Sequence, residues 1–325
     1  MRRAAPGVPR LRVVVVGALL GLTTATASAQ DTNAGTAVAP GPPPGSPGRT
    51  SLFGSLPFLD RLQIELGYTY DDNVTLGRAR DEILWDQSLG LNMTTGGALR
   101  VTDNARLVVN GLLSGEKFSN YDGLSNLSGG LEAELQYRRS GAFDEFTFAA
   151  FARGWLDNYA SHLRDGSHYS FGVNARGALT DRIGLFGEVA WNRRHAQSEV
   201  WDLTDWSGRV NLDYSLRSWG TLYLTGEYRR GDVVSDGFAT LVNVSLAKVF
   251  VLDDAFPDKQ LFAYRSEART WVSNLGYNLP LGQRTSLDLS WRRVQSTPTA
   301  HLDFDVQGSL RYVDNQYTIV LLKLF

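Results

Sequence analysis

Residues 127–138 read Leu-Ser-Gly-Gly-Leu-Glu-Ala-Glu-Leu-Gln-Tyr-Arg, and this stretch decides the fold. Leu127, Leu131 and Leu135 fall on one side of an extended chain, whereas the polar and acidic residues fall on the other. Because successive side chains of a strand point to opposite faces, the alternation predicts a strand with one apolar face. The pattern recurs at 62–70 (LQIELGYTY), 169–176 (YSFGVNAR) and 206–216 (WSGRVNLDYSL), and no charge lies on the apolar face of any of the four.

Alternation alone fits both a soluble β-sandwich and a membrane barrel, so the connections between strands must decide. Short turn sequences near 102–104, 140–143, 180–182, 217–219 and 282–284 alternate with longer polar connections near 70–82, 119–124, 159–167, 197–204 and 231–265. Strands of about ten residues with short turns at one end and long loops at the other are typical of transmembrane barrels. Sandwich strands usually have only about 5 or 6 residues. We therefore predict an all-β fold, a single antiparallel up-and-down transmembrane barrel.

Counting strands along the chain gives twelve. The predicted spans are 61–71, 85–99, 105–118, 125–138, 145–158, 168–179, 183–196, 205–216, 219–231, 266–279, 284–297 and 306–325. Fourteen strands would require a hairpin within 232–265, where 240–252 is apolar enough for a helix or a strand, and would move the short turn near 282 to the long-loop end. Because the short turn near 282 belongs with the other short turns, twelve strands are favoured. Segment 232–265 is a plug, an outer loop or an extra hairpin.

The N-terminal residues have the pattern of an export signal followed by a spacer. Arg2, Arg3, Arg10 and Arg12 precede an apolar run, and Ala27-Ser28-Ala29 is a small-residue cleavage pattern, so residues 1–29 are a predicted signal peptide. Residues 30–57 are rich in Pro and Gly and form a predicted disordered periplasmic linker. The barrel is then 58–325, and the expected location is the bacterial outer membrane.

Composition excludes several classes of function. The chain has 325 residues, no Cys, 32 Lys and Arg and 34 Asp and Glu, with a mean hydropathy of -0.20. Without Cys there is neither a disulfide scaffold nor a Cys-ligated metal site. The acidic balance of the mature chain argues against nucleic acid as a partner, and no cofactor motif is present.

The chain end resembles that of Gram-negative outer-membrane β-barrels. Residues 317–325 read YTIVLLKLF, with terminal Phe325 and alternate Leu321, Ile319 and Tyr317, although Lys323 departs from the pattern. In that family the terminal strand is the signal for the barrel-assembly machinery, which makes Phe325 an expected assembly residue and that machinery a partner. Residues 68–74, YTYDDNV, more loosely resemble the first hairpin of porin-like barrels encoded with exopolysaccharide-export genes.

Three predicted strands carry an aromatic residue followed closely by two arginines. The outward members are expected at the interface with outer-membrane lipid, because aromatic rings belong there and arginine suits lipopolysaccharide phosphates. These girdle candidates are Trp191, Arg193, Tyr228, Arg230, Trp291 and Arg293. Their inward neighbours Arg194, Arg229 and Arg292 are expected close together in the upper lumen, where they favour an anionic solute.

The inward face carries charges of both signs. The candidate pore-lining residues are Glu65, Glu132, Glu134, Arg153, Arg176, Glu188, Arg194, Arg209, Glu227, Arg229, Asp288 and Arg292. Such a surface is either the wall of a hydrated pore or a set of mutually paired charges that fill the interior. Twelve strands lie between the packed eight-strand and the open sixteen-strand barrels, so both hypotheses stay open.

An enzymatic hypothesis depends on His168, Ser170 and Asn174, which superficially resemble the His-x-Ser motif of outer-membrane phospholipase A. That family presents its nucleophile to lipid, whereas the alternation turns His168 and Ser170 inward, so we predict no catalytic residue. The acidic pairs at 71–72 and 253–254 suit Ca²⁺ or an omptin-like protease dyad, but adjacent acids in loops are usually solvated, and no metal site is predicted.

The function predicted from the sequence is a porin-like channel for a hydrophilic solute, with a polysaccharide as one candidate. The alternatives are a closed structural or binding barrel with functional outer loops and, less favoured, a lipid-modifying enzyme. The solute, the transport direction and the oligomeric state have no signal in the sequence.

Overall fold

The computed structural model describes residues 61–139, 145–300, 302 and 310–325. The predicted signal peptide and linker lie outside the described residues. The strands are β1 (Arg61–Asp71), β2 (Asp86–Arg100), β3 (Ala105–Phe118), β4 (Asn126–Tyr137), β5 (Thr147–Tyr159), β6 (Gly166–Ala178), β7 (Ile183–Ala196), β8 (Thr204–Ser215), β9 (Thr221–Gly237), β10 (Val249–Leu252), β11 (Phe262–Gly282), β12 (Thr285–Pro298) and β13 (Tyr312–Leu324). One short helix, α1 (Leu241–Leu246), precedes β10.

Twelve strands form a closed antiparallel barrel. Consecutive strands pair from β1 to β9, β9 pairs with β11, and β11 to β13 continue the sheet until β13 pairs with β1. The short β10 pairs only with the upper end of β11 and lies outside the ring. The prediction of twelve strands is confirmed. Segment 240–252 contains both predicted alternatives, a helix and a strand, without forming the hairpin that fourteen strands need.

The two faces of the wall differ as the alternation predicts. Leu131, Leu156 and Val173 are well exposed on the outer face, as a lipid-facing surface requires, whereas Glu65, Glu134 and Glu227 are buried on the inner face. With strands ~4.8 Å apart and tilted by ~40°, twelve strands enclose a barrel about 24 Å across, measured between backbones.

The connections also divide as predicted. One end of the barrel has turns of a few residues, such as 101–104 and 179–182, and the other end has the connections 72–85, 119–125, 160–165, 197–203, 238–261 and 299–311, the last only partly within the described residues. Among the described helices, none has the length and apolar character needed to cross a lipid bilayer.

One close contact inside the barrel depends on a glycine. A Cβ at Gly276 would lie 2.2 Å from the Tyr223 ring, whose hydroxyl donates a 2.7 Å hydrogen bond to Asp288 Oδ1. We expect Gly276→Val to displace this ring and to destabilise the refolded barrel by about 1–3 kcal/mol, measured by urea unfolding in detergent. The control is Gly226→Val, because no atom lies within 4 Å of a Cβ there. Equal stability of the two variants would contradict the packing argument.

Candidate functional site

The long-loop end of the barrel is covered by its own connections. We call the five connections at 72–85, 119–125, 160–165, 197–203 and 238–261 the mouth cap. They contribute most of the largest fully buried side chains of the described chain, among them Trp201, Arg164, Phe256, Leu76 and Leu124. Fully buried loop residues are unusual, because loops normally run over the surface. The mouth cap is therefore a packed structure and not a fringe of solvated loops.

Two apolar clusters connect the mouth cap to the barrel wall. Leu76 packs with Val272 and Val294 from β11 and β12, so the β1–β2 connection bends inward. Phe256 packs with Val74 and Leu124, although segment 253–261 leads into β11 and Leu124 follows β3. Strands β3 and β11 lie on opposite sides of the ring. Segment 253–261 therefore crosses the mouth of the barrel.

A buried ion pair holds this crossing segment. Arg164 Nη1 and Nη2 donate to the Asp253 carboxylate at 2.8 and 2.5 Å, and both side chains are at most 1% exposed. The Arg164 guanidinium also lies 4.5 Å from the centre of the Trp201 ring. A two-point arginine–carboxylate contact fixes geometry as well as distance. Connection 160–165 is thereby joined to both 197–203 and 253–261.

The environment of Asp253 favours its ionised form. Burial raises the pKa of this carboxyl, but the Arg164 guanidinium and several hydrogen bonds outweigh burial, so its pKa lies below the ordinary value. The expectation that acids 253–254 are simply solvated is wrong for Asp253. The reason is a cation that lies 89 residues away in sequence and that only the folded barrel brings into contact.

The β1–β2 connection and α1 meet through polar contacts. Glu82, which is buried, accepts hydrogen bonds from Phe238 N at 3.0 Å and from Asn243 Nδ2 at 2.8 Å. Asp236 N, at the top of β9, donates to Thr75 O at 2.7 Å. These contacts join connection 72–85 to the end of β9 and to connection 238–261. They form a second link across the mouth cap.

Asp86 organises the connection after β3. Its buried carboxylate accepts hydrogen bonds from Asn120 N, Asn120 Nδ2 and Tyr121 N at 2.9 to 3.1 Å. Because bonds to a charged group contribute about 1.5–3 kcal/mol each, we expect Asp86→Ala to make 119–125 protease-sensitive while the barrel stays folded. Limited proteolysis with mass spectrometry measures this. Asp103→Ala, in a short turn at the opposite end, is the control, and an equally resistant Asp86→Ala would contradict the prediction.

Below the mouth cap, charged side chains pair around the wall. Arg153 on β5 contacts Glu132 on β4 at 2.7 Å and Glu188 on β7 at 3.0 Å, and Arg209 on β8 contacts Glu188 at 3.2 Å. Arg176 pairs in the same way with Glu134. These pairs join neighbouring or next-but-one strands, so their side chains lie along the wall instead of bridging the bore.

A cavity of about 50 Å³ lies against this network, between β5–β9 and β11. Its lining includes the arginines Arg153, Arg194, Arg209 and Arg229 and the acids Glu188, Asp205, Glu227 and Asp232. A groove whose wall carries several guanidinium groups attracts anionic groups. Glu65 and Asp288 lie lower on the inner face, where Glu65 Oε2 accepts from Asn92 Nδ2 at 3.0 Å.

Arg194, Arg229 and Arg292 were expected close together in the upper lumen, but each of them contacts a different partner. Arg229 pairs with Glu227 on its own strand, and Arg292 donates to Gln316 Oε1 at 2.8 Å. Arg194 instead donates to Arg164 O at 3.1 Å and lies over the Tyr159 ring. Arg194 thus supports the mouth cap. The alternation placed it correctly on the inner face but gave no information about the loop above it.

The girdle candidates lie on the outer face among other aromatic residues. Trp191 stacks on Phe171 with ring centres 6.2 Å apart, and Tyr228 contacts Trp271 at 4.8 Å. Arg193 Nη1 donates to Thr204 Oγ1 at 2.6 Å and Arg293 Nη1 to Asn315 Oδ1 at 3.1 Å. Arg230 lies beside Trp206 on the paired strand, and Trp291 is half-buried. Trp206 and Trp271 are also outer-face aromatic residues, each 60% exposed, although neither is followed by the paired arginines that mark the girdle candidates.

The residues of the enzymatic hypothesis have separate partners. His168 Nδ1 lies 2.7 Å from Asp157 Oδ2, and Ser170 Oγ donates to Asn192 Oδ1 at 2.7 Å. Asn174 Nδ2 donates to Glu134 Oε2 at 3.4 Å. A nucleophile and its base normally bond to each other. Here the serine hydroxyl is directed to an amide oxygen.

Comparison with solved structures identifies the fold. The COG4313 outer-membrane channel from Pseudomonas putida F1 matches 83% of this chain and 97% of its own, at 12% identity and a TM-score of 0.53. The chain has the fold of an outer-membrane channel. The KdgM porin in complex with disordered oligogalacturonate matches 80% of this chain and 98% of its own at 10% identity and a TM-score of 0.42. The NanC porin matches 81% and 98% at 8% identity and a TM-score of 0.42.

Comparison at the level of sequence adds nothing to this. No family model matches the chain, and no curated protein matches it either. The antiparallel up-and-down barrel inferred from the alternation is confirmed by the strand pairing and by the fold similarity to this channel.

Proposed function

We propose that this outer-membrane barrel is a porin-like channel for a hydrophilic solute and that the mouth cap closes it in the state described above. The observation that carries the proposal is the wall network, in which Glu132, Arg153, Glu188 and Arg209 pair along the circumference. A barrel about 24 Å across whose charges pair along the wall keeps a hydrated bore. Because these ion pairs join neighbouring or next-but-one strands, they lie along the wall and do not fill the interior.

The preferred solute is anionic, and a charged glycan is the leading candidate. The cavity beneath the mouth cap presents several guanidinium groups toward the bore, and arginine binds carboxylates with two parallel hydrogen bonds. Liposome swelling with neutral and anionic sugars of increasing length tests this. Faster entry of anionic sugars than of neutral sugars of the same size supports the proposal. Exclusion of every sugar by a variant whose mouth cap has been opened contradicts it.

The mouth cap also supports a second candidate, a closed barrel whose outer surface binds a partner. Its buried ion pair and the two apolar clusters of Leu76 and Phe256 would give the long-loop end a fixed shape. A lipid-modifying enzyme has less support, because His168 and Ser170 bond to Asp157 and Asn192. The two candidates differ in one measurable property, namely whether opening the mouth cap produces conductance.

The assignments of partners follow from the outer face and the chain ends. We propose that Arg193, Arg230 and Arg293 contact lipopolysaccharide above the aromatic band and that Phe325 is recognised by the barrel-assembly machinery. Residues 30–57 would then extend into the periplasm. Loss of assembly on deletion of Phe325 and weaker lipopolysaccharide retention in Arg230→Gln would support these assignments.

A further inference from the structure

Three carboxylates converge where β1 meets β13 at the rim of the mouth. Asp71 ends β1, Asp72 follows it, and Asp314 lies near the start of β13. One carboxylate oxygen of each lies within 4.8 Å of the other two. Asp71 and Asp314 are buried, at 4% and 0% exposure. This cluster differs in that respect from an ordinary patch of solvated surface acids.

A second observation at this cluster is a carboxylate oxygen without a partner. Asp314 Oδ2 accepts from Gln316 Nε2 at 3.1 Å, but Asp314 Oδ1 is fully buried and has no hydrogen-bond partner. Gln316 Nε2 also donates to Asp71 Oδ2 at 2.9 Å, so it serves both buried carboxylates but not Asp314 Oδ1. A buried acceptor without a partner is unfavourable, and a cation held by the cluster would satisfy it.

We propose that Asp71, Asp72 and Asp314 bind one Ca²⁺ ion. Calcium takes oxygen ligands at about 2.3–2.6 Å in flexible geometry, so two ligands of one ion are up to about 5 Å apart, which the cluster satisfies. Arg292 on β12 donates to Gln316 Oε1 at 2.8 Å and so brings one positive charge close to the three carboxylates. A divalent ion is matched to the charge that remains. Mg²⁺ is less suited, because it demands a near-ideal octahedron of shorter bonds.

The proposed ion would connect the barrel seam to the mouth cap. Asp71 Oδ1 accepts from Asn73 N at 2.8 Å, and Asn73 Nδ2 donates to Val313 O at 2.9 Å. Asn73 Oδ1 in turn accepts from Gly77 N at 2.9 Å, which fixes the connection whose Leu76 packs on the inner wall. Ca²⁺ would hold this connection in place and favour the closed cap.

The test uses the full chain refolded in detergent, with Tb³⁺ as a luminescent Ca²⁺ substitute. Tyr70 and Tyr312 each lie within two residues of a proposed ligand and would sensitise Tb³⁺ emission. We expect one saturable Tb³⁺ site per chain, displaced by Ca²⁺ and weakened at least about tenfold in Asp314→Asn, because affinity depends on the number of charged ligands. Asp258→Asn, an exposed acid of the mouth cap, is the matched control and should bind as the parent does.

Absence of a saturable site in the parent chain would overturn the proposal and assign a shared proton to the Asp71–Asp314 contact. Equal binding by the parent chain and Asp314→Asn would overturn it as well. If Asp314→Asn fails to give a heat-modifiable barrel, Asp72→Asn replaces it, because Asp72 is only partly buried. Slower proteolysis of 72–85 in Ca²⁺ than in chelator, in the parent chain only, would support the link to the mouth cap. This readout does not depend on channel activity.

Discussion

Replacing Arg164 by methionine should open the mouth cap and raise the channel conductance while the barrel stays folded. Removing one partner of a fully buried ion pair leaves the other charge uncompensated and destabilises the local structure by about 3–5 kcal/mol. The Asp253 carboxylate would then leave its site and take segment 253–261 away from the mouth. In a planar bilayer we expect the open fraction to rise at least about tenfold, which corresponds to about 1.4 kcal/mol of this destabilisation.

The double variant Arg164→Met with Asp253→Asn is the matched control. Because it removes the uncompensated charge, it should recover part of the closed population, and together with the single variant Asp253→Asn it completes the double-mutant cycle that measures the coupling between the two residues. Gly123→Val opens the same segment by a different route, since a Cβ at Gly123 would lie 2.4 Å from Ala255 Cα. Folded Arg164→Met and Gly123→Val barrels with the parent conductance would show that the mouth cap does not close the passage.

Neutralising Arg153 and Arg209 should shift the ion preference of the opened channel toward cations. The double variant to glutamine leaves Glu132 and Glu188 without their cations on the inner wall. Charged rings in a pore set ion selectivity through their local potential. Reversal potentials in a salt gradient, measured in the Arg164→Met background, should change the anion-to-cation permeability ratio by at least about threefold.

Glu188→Gln provides the opposite control for this experiment. It removes the acid shared by both arginines and should shift the permeability ratio toward anions. If ions pass these residues, the arginine double variant and Glu188→Gln must shift the anion-to-cation permeability ratio in opposite directions. Equal reversal potentials in both variants would place the conducting path elsewhere and would retire the proposed lining residues.

The barrel itself was predictable because its signals are local. Alternation of Leu127, Leu131 and Leu135 against Glu132 and Glu134 fixes which side chains face lipid, and most predicted strand bounds agree with the structure within two residues. The exceptions are the end of β9, both ends of β11 and the start of β13, and two of them are instructive. Strand β9 continues to Gly237 and β11 begins at Phe262, because both strands extend above their neighbours into the mouth cap.

The mouth cap was not predictable from the same signals. Its stability depends on contacts such as Arg164 with Asp253 and Phe256 with Leu124, which join residues far apart in sequence. Alternation gives no information about such contacts, since loop residues follow no period. One usable signal was present, the apolar character of 240–252 inside a polar connection, which indicated a helix or a strand without indicating its partner.

Single-channel recording in a planar bilayer tests the central claim most directly. The mature protein, refolded and shown by gel to be heat-modifiable, is compared with Arg164→Met and with a variant that lacks residues 253–261. We expect rare openings of the parent barrel and frequent discrete conductance steps in both variants. Correctly folded barrels that stay silent in all three forms would contradict a channel and favour the closed binding barrel.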